Sequence, residues 1–471
     1  MRNITRHYID GAFVDSHGRE AMQTFNPANG EVTGQVLLAD EVDTKRAIAA
    51  ARRALPAFSR TTKEERIRLL RRMGEATAAR LDDLTAAMVE EYGGTLQFSS
   101  LIMQGAVESF RQAEIALNQI ELVRKWGTTT VYQEPVGVAG LITPWNANGL
   151  FLCIKGASAI AAGCTVVAKP SELSAFQTQV LLECWHEAGL PPGVINVVTG
   201  RGEVVGAELV RNPDVDKISF TGSAAVGQSV MRDGAATMKR VTLELGGKSP
   251  NILLDDADLA TAIPNALIIA FLNSGQACVA GTRLLVPNHQ LDTVKKAIID
   301  VMPAFAAGLP ADPKTAIGPM VSEKQYQRVQ SLIRKGIEEG AEILVGGEGR
   351  PEGLEDGYFV KPTVFVNVRN DMTIAQEEIF GPVLCVIGYE DEDDAIRIAN
   401  DTRYGLHGFV SGTDPERTRR VASQILAGRV AINGMKDDQQ APFGGLKYSG
   451  IGREFGTFGI EAFLEARAIL E

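Results

Sequence analysis

Three residue types in three separate segments could together carry covalent chemistry. Cys278 follows Gly275 and Gln276 at the end of an apolar stretch patterned like a buried helix, Ile263 to Leu272. A turn there can present a thiol to a cleft as a nucleophile. The same position also suits a core cysteine, since free Cys is among the most buried residue types. Glu244 closes a strand pattern before Gly246 and Gly247, flanked by Leu243 and Leu245. Apolar flanks can raise a carboxyl pKa and make it a base, whereas a solvated strand-end acid would do no chemistry. Asn146 follows Thr143, Pro144 and Trp145 at the end of another strand pattern. Its side-chain N–H₂ can donate to an oxyanion, or the residue can simply form a turn after proline.

Phosphate-binding signals are weaker. Gly247-Lys248-Ser249 resembles the end of a Walker A loop, but the first glycine of G-x-x-x-x-G-K-S would fall at Thr242, so that reading fails. At Phe220 to Gly227 a strand gives way to Gly222-Ser223 and then a helix, whose N-terminus can hold a pyrophosphate. Gly200 and Gly202 open a G-x-G-x-x-G pattern that breaks at Val205, so the standard dinucleotide fingerprint is absent. Lys169, Ser171 and Glu172 stand at yet another strand end.

These segments need elements to position them. The first ~115 residues read as mostly helical, with apolar residues at three and four spacing over Thr44–Phe58, Lys63–Arg80 and Leu81–Tyr92. Thr62 and Glu65 form a capping-box signal for the second of these. From Val136 to Leu254 short β-rich runs (Val136–Ile142, Thr165–Lys169, Val194–Val198, Lys217–Phe220, Val241–Leu245) alternate with helix-length segments, Ala175–Ala188 and Gly202–Val210 among them. That alternation indicates a parallel, doubly wound sheet, which binds ligands beyond the carboxyl ends of its strands. A second α/β alternation runs from Asn251 to about Ile432, with strands at Arg283–Val286, Glu342–Val345, Thr363–Val366, Val383–Gly388 and Arg429–Ile432 and helices near Leu291–Phe305 and Glu323–Glu339. Thr128–Gln133 reads as an extended arm, and it and the apolar Thr457–Glu471 end can pack on another subunit.

Bulk properties narrow the class. A net charge of −11 over 471 residues argues against nucleic acid as a partner. Charges recur through the first thirty residues, which does not suit a signal peptide, and no stretch approaches the ~20 apolar residues of a membrane span. The five cysteines are odd in number and form no C-x-x-C pair, which points to reduced thiols in the cytoplasm. Neither they nor the five histidines show metal-ligand spacing, so no metal site is expected.

Taken in order, the motifs resemble the aldehyde dehydrogenase superfamily along nearly the whole chain. They are Phe25–Ala28, Thr143–Asn146, Lys169–Glu172, Phe220–Ser223, Glu244–Lys248, Gly275–Cys278, Glu377–Pro382, Pro442–Lys447 and Ser449–Glu454. The resemblance implies a doubly wound, Rossmann-like cofactor domain (1–120 and 136–245, with 435–456 returning to it), a second α/β catalytic domain (246–434), and a small β oligomerisation arm (121–135 and 457–471). It implies that Cys278 attacks an aldehyde to form a thiohemiacetal whose oxyanion is held by Asn146 and the Cys278 N–H. Hydride transfer to a nicotinamide cofactor then leaves a thioester, which water activated by Glu244 hydrolyses to a carboxylic acid.

Cofactor contacts carry over to Lys169 and Glu172 at the adenosine ribose, Ser171 beside them, and Gly222, Ser223 and Gly227 at the pyrophosphate turn. Glu378 and Phe380 fall at the nicotinamide ribose, and Thr143, Trp145, Leu245 and Gly246 are further cofactor positions. Glu172 should repel a 2′-phosphate and favours NAD, while Lys169 and Ser171 leave room for NADP. The resemblance also implies a homodimer or homotetramer.

Three departures concern the substrate. Ala147-Asn148-Gly149 replaces the bulkier Phe-Pro that many members have after the catalytic Asn, and is expected to open the tunnel wall. Ile154 stands where many members have an aromatic, before a retained Lys155. Asp437 and Asp438 either lie at the tunnel mouth, favouring a cationic or polar substrate, or form a solvated loop. Two rival activities are a CoA-acylating enzyme, commonly without the hydrolytic Glu, and a silent homologue, expected to lose Cys278, Asn146 or Glu244.

Overall fold

In the computed structural model, which describes residues 2–470, the two expected alternations become two mainly parallel sheets. The first has five parallel strands in the spatial order Arg240–Glu244, Lys217–Thr221, Val138–Ile142, Thr165–Lys169, Ile195–Val197. After Val138–Ile142 the chain builds outward to one side through two strands, then returns to build on the other side. The reversal places a topological switch point at the carboxyl ends of Val138–Ile142 and Lys217–Thr221, where doubly wound sheets hold ligands. These strands are almost wholly buried, as strands covered by helices on both faces must be. Gly450–Ile451 returns to this sheet, pairing antiparallel with Arg240–Glu244 through Leu243 and Glu244.

The second sheet runs Glu342–Val345, Thr363–Val366, Val383–Tyr389, Arg283–Pro287, Pro250–Leu253, His407–Ser411, Arg429–Ile432, antiparallel only at its first pair. Two of its strands, Pro250–Leu253 and His407–Ser411, are not signalled by β-branched runs. They hold because both neighbours hydrogen-bond them, so tertiary pairing overrides weak local propensity. A third, three-stranded antiparallel sheet joins Val123–Trp126, Thr129–Pro135 and Leu464–Ile469, putting the expected arm and the chain's end together.

The N-terminal expectation needs correction. Residues 2–37 form five short strands, not helix; two make a small sheet with Val32–Leu37 and two extend the first parallel sheet as an antiparallel hairpin, with Tyr8 opposite Val197. These strands are three to six residues long and half exposed, so they carry little periodicity of their own. Helix begins at Glu41, capped by Asp40 with Asp43 reciprocating. The Gly202–Val210 segment also differs, opening as a wide turn over Gly202–Gly206 before the short helix Ala207–Arg211. No helix of the described residues is long and apolar enough to cross a membrane.

The Lys63–Ala79 helix starts with the expected box: Glu65 N donates to Thr62 Oγ1 at 3.2 Å and Thr62 N to Glu65 Oε2 at 2.7 Å. Thr62→Ala is expected to lower stability by about 1 kcal/mol, read as an earlier urea midpoint with turnover at room temperature unchanged.

Candidate active site

The strand ends and the Leu259–Phe271 helix converge on a cleft of about 500 Å³. The helix stops in a left-handed turn: Asn273, Ser274 and Gly275 have φ of 53°, 56° and 73°. Non-glycine residues there are strained, and each is held by hydrogen bonds from elsewhere. Asn273 Oδ1 accepts from Tyr92 Oη at 2.8 Å, and its Nδ2 donates to the carbonyls of Asn146 and Gln276 at 3.2 and 3.1 Å. Ser274 Oγ accepts from Gly318 N at 2.8 Å. Gln276 donates to Pro319 O and accepts from Val321 N. At Gly275 a Cβ would lie 2.0 Å from Gly381 O, so no other residue fits. The turn swings the chain back so that Cys278 lines the cleft, enclosed by its walls yet the one cysteine of five that keeps some exposure.

The electrostatics favour protonated groups. Burial, with the carboxylates of Glu378 and Glu244 adding to it, pushes the Cys278 thiol up to about 12. A thiol in that state needs a base before it can attack. Glu244, at the tip of Arg240–Glu244, is 3% exposed and neither carboxyl oxygen has a partner in the protein. Burial, then Glu454, drives its pKa well above the carboxylate range, against Lys155, Arg453 and Arg429. Lys155 pairs with Glu454, and Ser219 Oγ bonds both at 2.9 and 3.1 Å, so this buried ion pair is internally satisfied. Asn146 Nδ2 donates to Gln276 O at 2.9 Å. An amide nitrogen has two N–H groups, so the second remains for an oxyanion beside Cys278.

The opposite side of the cleft is shaped for a dinucleotide. Ser223 caps the Ala224–Gly234 helix, and Ala224 and Ala225 line the cleft at its first turn, where backbone N–H groups lack helical partners. A Cβ at Gly227 would come within 2.6 Å of Leu245 Cδ2, so glycine lets this helix press onto the end of the Glu244 strand. Glu378 Oε1 accepts from Gly247 N at 3.0 Å, and a Cβ at Gly246 would strike Glu378 Oε2 at 2.3 Å. Burial raises Glu378 to about 7 despite that bond. Phe380, at φ 60°, packs edge-on to Trp145 with centroids 5.4 Å apart.

Of the positions singled out from the sequence, Trp145, Asn146, Gly222, Ser223, Glu244, Leu245, Gly246, Cys278, Glu378 and Phe380 line this cleft. Gly227 supports it from behind. Lys169, Ser171 and Glu172 lie outside its lining, on the next strand end. Lys169 Nζ meets Glu172 Oε2 at 2.9 Å, and although burial opposes ionisation of Glu172, Lys169 and Arg201 hold its pKa below the usual value. Thr143 is turned inward, its hydroxyl donating to Asn148 at 2.7 Å.

Two substrate-side positions can be placed. Ala147 is buried at the start of the Asn148–Ala162 helix, and this segment walls the cleft with Phe151, one turn on. Asp437 is tied to Arg429 at 3.3 Å and otherwise exposed, so its charge is already matched. Nothing in the residue pattern marks Gln325, Arg328 or Arg403, which also line the cleft. Gln325 Nε2 donates to Phe380 O, Arg328 to Glu378 O, and Arg403 to the Glu377 carboxylate. All three look like ordinary surface residues until the fold brings the Glu377–Phe380 segment beside them.

A part-exposed thiol, an uncommitted buried carboxyl and an amide donor on one cleft, across from a helix N-terminus, suit an oxidoreductase working through a covalent intermediate. The model of the aldehyde dehydrogenase family matches residues 13–469. The chain is 46% identical to a 3-succinoylsemialdehyde-pyridine dehydrogenase of Pseudomonas sp over 472 residues, covering 100% of this chain and 99% of that one. It is 45% identical, with the same coverage, to a putative aldehyde dehydrogenase of Staphylococcus aureus. Among solved structures, a cysteine-to-alanine mutant of Pseudomonas syringae aldehyde dehydrogenase C complexed with NAD+ and octanal is similar at TM-score 0.98 and 44% identity, covering 99% of this chain and 96% of that one. A Mycobacterium tuberculosis aldehyde dehydrogenase complexed with NAD+ gives 0.97 and 41%, covering 100% and 98%. The chain belongs to the aldehyde dehydrogenase family.

Gly275→Ala is expected to cut aldehyde oxidation roughly 100-fold or more by displacing Cys278, since misplacements near 1 Å cost that much. Turnover near wild type would mean that the left-handed turn does not set the thiol.

Proposed function

We propose that this protein oxidises an aldehyde to a carboxylic acid with NAD+, using Cys278 as nucleophile, Asn146 and the Cys278 N–H as oxyanion donors, and Glu244 as base. The observation that carries this reading is that Cys278, Asn146 and Glu244, from three distant segments, line one cleft with Glu244's carboxyl uncommitted. NAD+, when bound, supplies the hydride acceptor. The free helix N-terminus behind Ser223 fits its pyrophosphate, and Glu378, anchored on Gly247 N, fits a ribose hydroxyl. Lys169 and Glu172 fit the adenosine ribose, the Glu172 carboxylate favouring NAD+ over NADP+.

Chemically, Glu244 takes the Cys278 proton, the sulfur adds to the carbonyl carbon, and Asn146 holds the oxyanion. Loss of hydride from the carbon to the nicotinamide leaves the acyl group on Cys278 as a thioester, and Glu244 releases the thiol's proton to solvent before it acts again. Glu244 then removes a proton from water as it attacks, and the thiolate leaves. A carboxylate held uncommitted beside the nucleophile favours hydrolysis over transfer to CoA. The arm of Val123–Trp126, Thr129–Pro135 and Leu464–Ile469, with Trp126 71% exposed, supports a homodimer or homotetramer, and five free thiols support a reducing, cytoplasmic setting.

An absorbance assay for NADH over aliphatic, aromatic and carboxylated aldehydes tests the activity; no turnover with any of them would overturn it. Cys278→Ala should abolish oxidation yet bind NAD+, and Asn146→Ala should lower kcat by about 10²–10³-fold. Because Glu244 ionises above the usual carboxylate range and works as a base only when ionised, acid formation should rise with pH across that ionisation. Glu244→Gln should lose this rise and lower acid formation, because the variant lacks the base for both proton removals; steady-state acid formation at the wild-type rate would reject its role.

A further inference from the structure

Tyr92 ends the helix Leu81–Tyr92 and is fully buried, and the chemistry assigned to the cleft does not use it. Gly93 caps that helix at φ 80° and lies so tight on residues 318–319 that a Cβ there would stand 2.7 Å from Pro319 Cγ. The same residues hold the turn that carries Cys278: Gly318 N donates to Ser274 Oγ at 2.8 Å, and Gln276 Nε2 to Pro319 O at 3.2 Å. Helix end and turn thus share one bracket, and the Tyr92 hydroxyl crosses between them to Asn273 Oδ1 at 2.8 Å. The Tyr92 ring also packs on Trp145, the residue before Asn146, with centroids 5.8 Å apart.

The direction of every bond in this group is forced. Asn146 O and Gln276 O can only accept, so the side of the Asn273 amide that faces them, at 3.2 and 3.1 Å, must be its nitrogen. Its oxygen then faces Tyr92, whose hydroxyl must donate. Burial raises the Tyr92 pKa well above its ordinary value, so that donor keeps its proton. Gln276 O has two lone pairs: Asn273 Nδ2 takes one, and Asn146 Nδ2 takes the other at 2.9 Å. One Asn146 N–H is thereby held and the other left over, while Asn273 pins the Asn146 backbone through its carbonyl. Without the Tyr92 donor the buried Asn273 oxygen is unpaired, and the amide gives up part of its hold on both carbonyls to find another partner.

We propose that Tyr92 is a positioning residue for the oxyanion: through Asn273 it sets the backbone and the side-chain amide of Asn146 beside Cys278. This rests on the proposed aldehyde oxidation, with Asn146 as oxyanion donor. Tyr92→Phe keeps the ring against Trp145 and removes only the hydroxyl.

The test measures kcat/KM for octanal and benzaldehyde by NADH absorbance at saturating NAD+, and NAD+ affinity by calorimetry without aldehyde, on the full-length protein. Tyr92→Phe is expected to lower kcat/KM about tenfold, less than the roughly 10²–10³-fold that removing an oxyanion donor outright costs, with the NAD+ Kd within about twofold of wild type. If Tyr92 works through Asn146, the two losses are not independent. In an Asn146→Ala background Tyr92→Phe should therefore lower kcat/KM by less than about twofold further. Asn273→Asp has the same size and tolerates the left-handed turn, but puts oxygen where both carbonyls need a donor. It is expected to lose at least as much, again with little further loss beside Asn146→Ala. Wild-type kcat/KM in Tyr92→Phe would overturn the proposal. So would a further loss of about tenfold in the double variant, or weakened NAD+ binding, either of which would make Tyr92 a general support of the fold. If Tyr92→Phe does not fold, Asn273→Asp decides on the same readouts. Absence of turnover in the wild-type protein would instead strike the underlying activity, so the two failures are distinguishable.

Discussion

The cleft depends on a left-handed turn that the protein has to hold open. Asn273, Ser274 and Gly275 lie in a region of backbone space that costs about 1–3 kcal/mol for each non-glycine residue. Asn tolerates it better than most, and Gly without cost. What holds the turn also builds the rest of the site. Asn273 is fixed by Tyr92, and in turn binds the carbonyls of Asn146 and Gln276. Asn146 reaches back to Gln276 O. The turn that carries Cys278 and the Asn146 side chain are thus parts of one hydrogen-bonded unit. Glu377–Pro382 closes it from the far side, because Gly275 fits only where Gly381 O leaves no room for a side chain.

Enclosure has an electrostatic consequence. Cys278, Glu244 and Glu378 are all driven toward their neutral forms, and the first cause each time is burial. In such a site the thiol and the carboxyl are both held in their neutral forms, because burial penalises thiolate and carboxylate alike. The Lys155–Glu454 pair beside Glu244 keeps a second charge close without leaving it unsatisfied: Ser219 completes its hydrogen bonding. Glu454 pushes Glu244 up while Lys155, Arg453 and Arg429 pull it down, so the ionisation of Glu244 is a balance among groups drawn from three other segments.

Much of this arrangement was legible in the chain because strand ends are. Glu244, Gly222 and Asn146 follow β-rich runs whose lengths and burial are set locally, and the doubly wound order then puts their carboxyl ends together. Cys278 was harder: alone it read as core filler as readily as nucleophile, and only its motif neighbours separated the two. The strands over residues 2–37, and Pro250–Leu253 and His407–Ser411, escaped because pairing partners far away in sequence, not periodicity, hold them extended. Gln325, Arg328 and Arg429 escaped for a related reason. Each spends its donors on backbone carbonyls of a distant segment, and carbonyls leave no mark in a sequence. Thr143 and Ala147 show the converse, since motif position placed them near the cleft but side-chain direction turned one inward and buried the other.

Two parts of the structure differ in how much they can vary. The cofactor side is made of strand ends and glycines against which an added Cβ would strike Leu245 or Glu378, so nearly any change moves the cradle. Segment 437–442, by contrast, is an irregular loop fastened largely through the Arg429 guanidinium. A loop can change length and composition at small thermodynamic cost if its anchor is kept, whereas a strand end cannot.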